Sequence, residues 1–182
     1  HAKGVFMARM DADDVAYKRR IEKQVAYLIY HSDTIMVGSQ ATVIDKTGRI
    51  VGEKTVPTNH EAIYWQYGIV HPMIHPSVMI RRSLLPDPNK IYMHKWGVND
   101  DYSSFFRLLS YGRFANLPEP LLKYRVHNGN ASLGDVKQTI KNTIGIRLEA
   151  VTRLGYPLTL SMVIAIMTQG MLITLLPSRV LN

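Results

Sequence analysis

Val5-Phe6-Met7-Ala8-Arg9-Met10-Asp11-Ala12-Asp13-Asp14 is the stretch on which the reading of this chain turns. An apolar run of this length that breaks into acidic residues has the pattern of a buried strand ending in an acidic turn. Asp11 and Asp13 are two apart, so in extended backbone their side chains leave the same face and can converge on one cation. Hard carboxylate oxygens suit Mg²⁺ or Mn²⁺, which keep positions open for the oxygens of a substrate phosphate. A cation held there would neutralise charge on a departing diphosphate. Taken alone, an Asp-x-Asp describes a solvated, helix-capping acidic turn just as well. The strand in front of it improves the functional reading, because open α/β sheets bind ligands at the carboxyl ends of their strands. That strand arrives within five residues of His1, with no initiator Met and no signal peptide. The chain thus reads as though it starts mid-domain, and we expect residues 1–182 to be a fragment or to be completed at the N-terminus by another chain.

Working outward, Tyr17 to Tyr30 places apolar residues at Tyr17, Ile21, Val25 and Leu28 with charges between them, which is helical spacing. Ile35 to Ser39 and Ala41 to Ile44 read as two short strands, and Asp45-Lys46-Thr47-Gly48 as the turn of a hairpin returning through Ile50-Val51. A short helix is expected over Thr58 to Tyr67, with Thr58 or Asn59 as its N-cap. Ser77 to Arg81 is strand-like. Asp100-Asp101 opens a helix through Leu109, its acids suiting the helix dipole, with Gly112 as its stop. Phe114 to Leu117 and Leu121 to Val126 are strand candidates separated by Pro118-Glu119-Pro120, and Asp135 caps a helix to Leu154. Strands and helices mix without strict alternation, so the class is α/β or α+β with a mixed sheet.

Composition narrows the function classes. With 182 residues, 46% apolar and 20% charged, the chain can bury a core without covalent staples, and with no cysteine a disulfide scaffold, a thiol nucleophile and cysteine-ligated metal are excluded. A net charge of +8 favours anionic partners: nucleotide phosphates, nucleic acid or an acidic membrane face. Nucleic acid is the weakest of these, since no basic run with interleaved aromatics and no reader-module signature is present. Leu154 to Ser178 carries no charge, and the nineteen residues between Pro157 and Pro177 have about the length of a bilayer's hydrocarbon core as a helix. Thr159, Ser161, Thr168, Gln169, Gly170 and Thr174 dilute this segment. A helix buried against protein or a partner is therefore the better reading, with membrane spanning or monotopic insertion as the other.

Asp100-Asp101 also has two readings, as ordinary helix-start acids or as a carboxylate that accepts the proton of an attacking hydroxyl. His71 and His75 are four apart, but Pro72 and Pro76 argue against a helical zinc pair. His127 follows the strand from Leu121 to Val126 and could end in the same cleft as the acids, or at the surface.

Ala8 to Asp14, Arg20 to Gln24, Val37-Gly38-Ser39, Asp45 with Gly48, His75 to Met79, Asp100-Asp101-Tyr102 with Arg107-Leu108-Leu109, and Asn116 to His127 follow one another in an order that resembles the family 2 glycosyltransferases of the GT-A fold. The resemblance covers roughly residues 4–132. It implies an α/β, GT-A-like nucleotide-diphospho-sugar transferase sheet flanked by helices, N-terminally truncated and with an apolar C-terminal helix. Residues 1–132 would be its metal- and acceptor-binding portion and 133–182 a C-terminal helical segment. By the same resemblance Asp11 lies at the ribose or diphosphate of the donor and Asp13 ligates Mg²⁺ or Mn²⁺. His127 lies near diphosphate and metal, and Arg9 contributes positive field to the donor. Asp101 is the general base, and Asp100 (replacing the family's Glu) and His75 are on the acceptor side. Tyr102-Ser103-Ser104-Phe105 departs from the family's commoner Tyr-Asp-Leu-Trp.

The expected activity is an inverting, metal-dependent transfer of a sugar from a nucleotide-sugar donor to a saccharide or lipid-linked acceptor hydroxyl, in polysaccharide or glycolipid synthesis. The expected location is cytoplasmic, peripheral to the inner face of the cell membrane, with self-association through the C-terminal helix. The alternative is a non-catalytic fragment or pseudoenzyme that binds a partner or membrane through that helix. Arg20, Arg81 and Lys95 are further candidates for positive field near phosphates, or simply a solvated face.

Overall fold

The computed structural model describes residues 3–127 and 135–175, which fall into two compact units. The first comprises residues up to Tyr67, His71–Ile91 and Tyr111–His127; the second comprises Gly68–Val70, Tyr92–Ser110 and the chain from residue 128 on. The sequence-based division at 132/133 lies outside the described residues.

The first unit is a mixed sheet. Its strands are β1 (Phe6–Ala8), β2 (Val15–Ala16), β3 (Thr34–Ile44), β4 (Ile50–Lys54), β5 (Met79–Arg81) and β6 (Arg113–Arg125), with helices α1 (Arg20–Tyr30) and α2 (His60–Tyr67). The order is β1-β5-β3-β6-β2, with β4 also on β3. Only β3 and β6 run parallel; the other pairs are antiparallel.

β3 is the spine. The two short strands expected from sequence are one continuous strand, because the polar residue that interrupts the apolar pattern is satisfied in place. Gln40 Nε2 donates to the Val56 carbonyl (2.9 Å) and its Oε1 accepts from Val56 N (2.7 Å). A paired amide can be buried where an unpaired one cannot. β6 is likewise continuous through its prolines. Ser39 faces Leu117 but the next residue, Gln40, faces Pro120, so Pro118 and Glu119 are taken up in a bulge where no ladder hydrogen bond is needed.

Leu28 of α1, Val37, Met79 and Ala115 form one buried cluster, with Phe6, Val25, Tyr27 and Leu117 against it. Ala41, Ile74 and Leu122 form a second. The Asn59 cap is as expected, its Oδ1 accepting from Ala62 N at 2.9 Å. Gly112 is not a left-handed helix stop. It lies beyond the helix end, at Asp33 and Ile35, where an added Cβ would come within 3.0 Å of the Asp33 carbonyl oxygen.

The second unit holds α3 (Asp100–Leu108), α4 (Val136–Leu154) and α5 (Leu160–Leu175). Asp135 caps α4 by accepting from Gln138 N (2.9 Å), and Gly155 ends it with φ 69°. Arg147 of α4 is fully buried and donates to Tyr102 Oη (3.3 Å), Gln169 Oε1 (2.8 Å) and the Ile69 carbonyl. α5 buries Met162 and leaves Leu160, Ile164, Met167, Met171 and Leu175 exposed. No helix among the described residues is long and apolar enough to cross a membrane.

Candidate active site

β1 leads into the acidic turn as the apolar run predicts, but it is an end strand of the sheet, half-buried at Phe6 and Met7 and exposed at Ala8, as is Val5 before it, where a buried strand is expected. Arg9 N donates to the Val78 carbonyl (2.9 Å), extending the β1–β5 ladder by one residue, and Asp14 N closes the turn on the Asp11 carbonyl (3.3 Å). The two aspartates of the Asp-x-Asp then differ in partner. Asp11 Oδ1 forms an ion pair with Arg9 Nη2 at 2.5 Å. Asp13 Oδ2 meets Nε2 of His127 at 3.0 Å, across 114 positions of sequence. That hydrogen bond, with smaller help from Arg125, holds the Asp13 carboxyl below its usual range.

Asp14 turns inward. Its Oδ1 accepts from Arg125 N (2.8 Å), while Oδ2 is buried without a hydrogen-bond partner. Burial, the largest influence, raises its carboxyl above the ordinary value.

Behind the turn lies a buried polar network. Arg20 Nη2 donates to the Arg9 carbonyl (2.5 Å) and its Nε to Gln24 Oε1 (3.1 Å). Gln24 Nε2 in turn donates to the carbonyls of Ser77 (2.7 Å) and Val37 (3.1 Å). Arg20 is therefore a scaffold for the acidic turn instead of a surface cation for phosphate, and burial lowers its pKa. Arg81 serves α1 in the same way, donating to the carbonyls of Leu28, His31 (3.1 Å) and Thr34 (3.1 Å). Lys95 pairs with Glu149 at 2.7 Å. Of the cations in the first unit proposed for phosphate field, Arg9 pairs with a carboxylate of the acidic turn, whereas Arg20 and Arg81 serve backbone carbonyls.

His75 is half-buried and opens the short 3₁₀ turn before β5, in the same unit as the acidic turn. Asp100 and Asp101 belong to the second unit, at the start of α3. Asp100 Oδ1 accepts from Lys95 N (3.0 Å) and Trp96 N (2.6 Å), so this carboxylate fastens the loop entering the helix. Asp101 is half-buried, with Oδ1 accepting from Tyr102 N at 2.7 Å.

Among the described residues no three His, Asp or Glu side chains converge as a protein-only cation cage. Asp13 and His127 offer two donors 3.0 Å apart, one hard oxygen and one imidazole nitrogen. This set fits a Mg²⁺ or Mn²⁺ ion that keeps most of its positions for water and substrate phosphate, and does not fit a closed structural site.

Residues 1–87 match the family described as Glycosyl transferase family 2. The O-antigen biosynthesis glycosyltransferase WbnJ of Escherichia coli is 34% identical over 126 residues, 67% of this chain and 48% of its own length. An uncharacterized glycosyltransferase of Methanocaldococcus jannaschii is 31% identical over 139 residues, covering 75% of this chain and 47% of its own. The putative glycosyltransferase EpsE of Bacillus subtilis is 29% identical over 184 residues, 100% of this chain and 64% of its own. With the mixed sheet and the acidic turn, these matches identify the chain as a member of the family 2 glycosyltransferases. It spans about half the length of most of the curated relatives it matches.

Asp14, Gln24 and Arg125 carry no site role in the sequence reading, and Arg20, read there as a cation for phosphate, serves the acidic turn as a scaffold. A signal for Arg125 was present: in an extended Arg125-Val126-His127 it shares a side with His127.

Proposed function

We propose that this protein transfers a sugar from a nucleotide-sugar donor to an acceptor hydroxyl with inversion at the anomeric carbon, and that Asp11, Asp13 and His127 form the diphosphate end of its donor site. The observation that carries this reading is the Asp13–His127 pair at 3.0 Å, built where β1 and β6 end. Asp13 and His127 would hold Mg²⁺ or Mn²⁺, which when bound supplies positive charge to the leaving nucleoside diphosphate.

The chain's own groups do the rest. Arg9, fixed by Asp11, adds a second positive group at the acidic turn, and Asp11 offers a carboxylate oxygen to a ribose hydroxyl. Asp101 takes the proton of the acceptor hydroxyl as its oxygen bonds to the anomeric carbon and the bond from that carbon to the diphosphate oxygen breaks. Asp100, engaged with the Lys95 and Trp96 amides, holds the loop beside that base, so its acceptor-side role is to position. His75 provides a half-buried imidazole for the acceptor.

WbnJ is named for O-antigen biosynthesis and AmsE of Erwinia amylovora for amylovoran biosynthesis, which supports a saccharide or lipid-linked acceptor in surface polysaccharide assembly. We place this work at the cytoplasmic face of the membrane, where a net charge of +8 favours anionic head groups.

The test uses the protein as encoded by its full reading frame, incubated with a panel of UDP-, GDP- and dTDP-sugars and candidate acceptors, with release of nucleoside diphosphate as the readout. Turnover that requires Mn²⁺ or Mg²⁺ and falls about 100-fold or more in Asp13→Ala and in Asp101→Asn is expected. Wild-type turnover in either variant would overturn that residue's role.

A further inference from the structure

We propose that Arg125 is the positioning residue of the Asp13–His127 pair: it sets where the two donors stand and thereby governs divalent-cation affinity without contacting the ion. The inference rests on the reading of that pair given above.

Arg125 is the last residue of β6, in register with Ile44 at the end of β3. Three of its N–H groups reach two separate segments, the acidic turn and the hairpin turn at Asp45. The backbone N donates to Asp14 Oδ1 (2.8 Å), Nε to the Asp13 carbonyl (2.7 Å) and Nη1 to the Asp45 carbonyl (2.8 Å). One residue on, Val126 N donates to the Ile44 carbonyl (2.9 Å), and one further is His127. Both members of the pair are thus referenced to one guanidinium, Asp13 through its own carbonyl and His127 through two residues of tied backbone.

The far anchor is itself stiff. Asp45 Oδ1 accepts from Thr47 N (2.8 Å), Thr47 Oγ1 (2.7 Å) and Arg49 N (3.0 Å), and Gly48 completes the turn at φ 89°. A planar fork with donors in fixed directions can bridge two carbonyls of separate loops; an ammonium on a flexible stem holds neither direction.

The sign of the expected effect separates positioning from simple electrostatics. A guanidinium beside a cation site repels the cation, so if Arg125 acted only through its charge, its removal would tighten Mn²⁺ binding. If it acts by geometry, removal loosens binding despite the relieved repulsion. Outer-shell partners of metal ligands change affinity about 10- to 100-fold when mutated.

The experiment is a titration of the full-length protein with Mn²⁺ alone, followed by the electron paramagnetic resonance of free Mn²⁺, with circular dichroism to check folding. Arg125→Gln is expected to weaken Mn²⁺ about 10-fold or more, with Arg125→Lys intermediate because it keeps the charge and one donor direction at most. Asp45→Ala loosens the far anchor without touching the pair and is expected to weaken Mn²⁺ by a smaller factor, which keeps the test intact if Arg125→Gln does not fold. Equal or tighter binding in the folded Arg125 variants, or in Asp45→Ala where those do not fold, overturns the inference while leaving the pair's own reading standing. Binding that Asp13→Ala does not alter overturns that reading, and this inference with it.

Discussion

Replacing Gln24 by Leu tests whether the acidic turn depends on the polar network behind it. Gln24 is fully buried, and its amide makes three hydrogen bonds: Nε2 to the carbonyls of Ser77 and Val37, and Oε1 from Arg20 Nε. Leucine keeps the volume and supplies no donor or acceptor. Two carbonyls then lose a partner at about 1 kcal/mol each, and a buried guanidinium N–H loses its acceptor at about 2 kcal/mol, because stranding a charged group costs more. The extra apolar burial of leucine returns about 1 kcal/mol. The net destabilisation is about 3 kcal/mol, or roughly 6–12 °C in Tm for a chain of this size. Urea unfolding followed by circular dichroism measures it. Amide hydrogen exchange adds a local readout, since Arg20 also holds the Arg9 carbonyl: Arg9 N–H, bonded to the Val78 carbonyl, is expected to lose protection. A loss below about 1 kcal/mol with Arg9 protection unchanged would refute the claim that this network supports the turn.

Two further substitutions probe each unit in turn. Gly145→Ala in α4 would bring a Cβ to within 2.7 Å of Trp96 Cζ3; overpacking of about 1–3 kcal/mol is expected to exceed the helix-propensity gain of about 1 kcal/mol, and a more stable variant in thermal unfolding would contradict this. His60 accepts from Phe114 N through Nδ1 (3.0 Å), and burial, followed by Arg113, lowers its pKa below 6.5. The folded state then holds fewer protons than the unfolded state below that pH. Its stabilising contribution is fully present above pH 6.5 and is lost as pH falls through the lowered value, so His60→Gln should flatten that part of the stability–pH profile. A profile that keeps its slope in the variant assigns the dependence elsewhere.

Local signals in the chain were strong where local physics decides. The β1 strand with its acidic end, the hairpin at Asp45–Gly48, and the caps at Asn59 and Asp135 all depend on residues within a few positions, and each is found where its residues predict. What escaped depends on distant partners. Gln40 looked like a strand break because its partner, Val56, lies sixteen residues on. Pro118 and Pro120 looked like a separator because a bulge cannot be read without the neighbouring strand. Arg20 and Arg81 looked like surface cations because only the fold shows the backbone carbonyls that they serve. In the candidate site, Asp13 stands out by the Asp-x-Asp spacing and His127 by its place after a strand, with their roles implied by the resemblance, whereas the contacts of Asp14 and Arg125 join residues 111 and 112 positions apart that no local pattern pairs.

The proposed donor site requires a divalent cation and a nucleoside diphosphate to meet at the acidic turn. A crystal structure of the full-length protein grown with Mn²⁺ and UDP or GDP, with anomalous data collected at the manganese edge, tests it most directly. An anomalous peak in direct coordination of the Asp13 carboxylate is expected, with His127 Nε2 turned to it and diphosphate oxygens completing its shell. An anomalous peak coordinated by other residues, or a nucleotide whose phosphates lie away from Asp13, would contradict it.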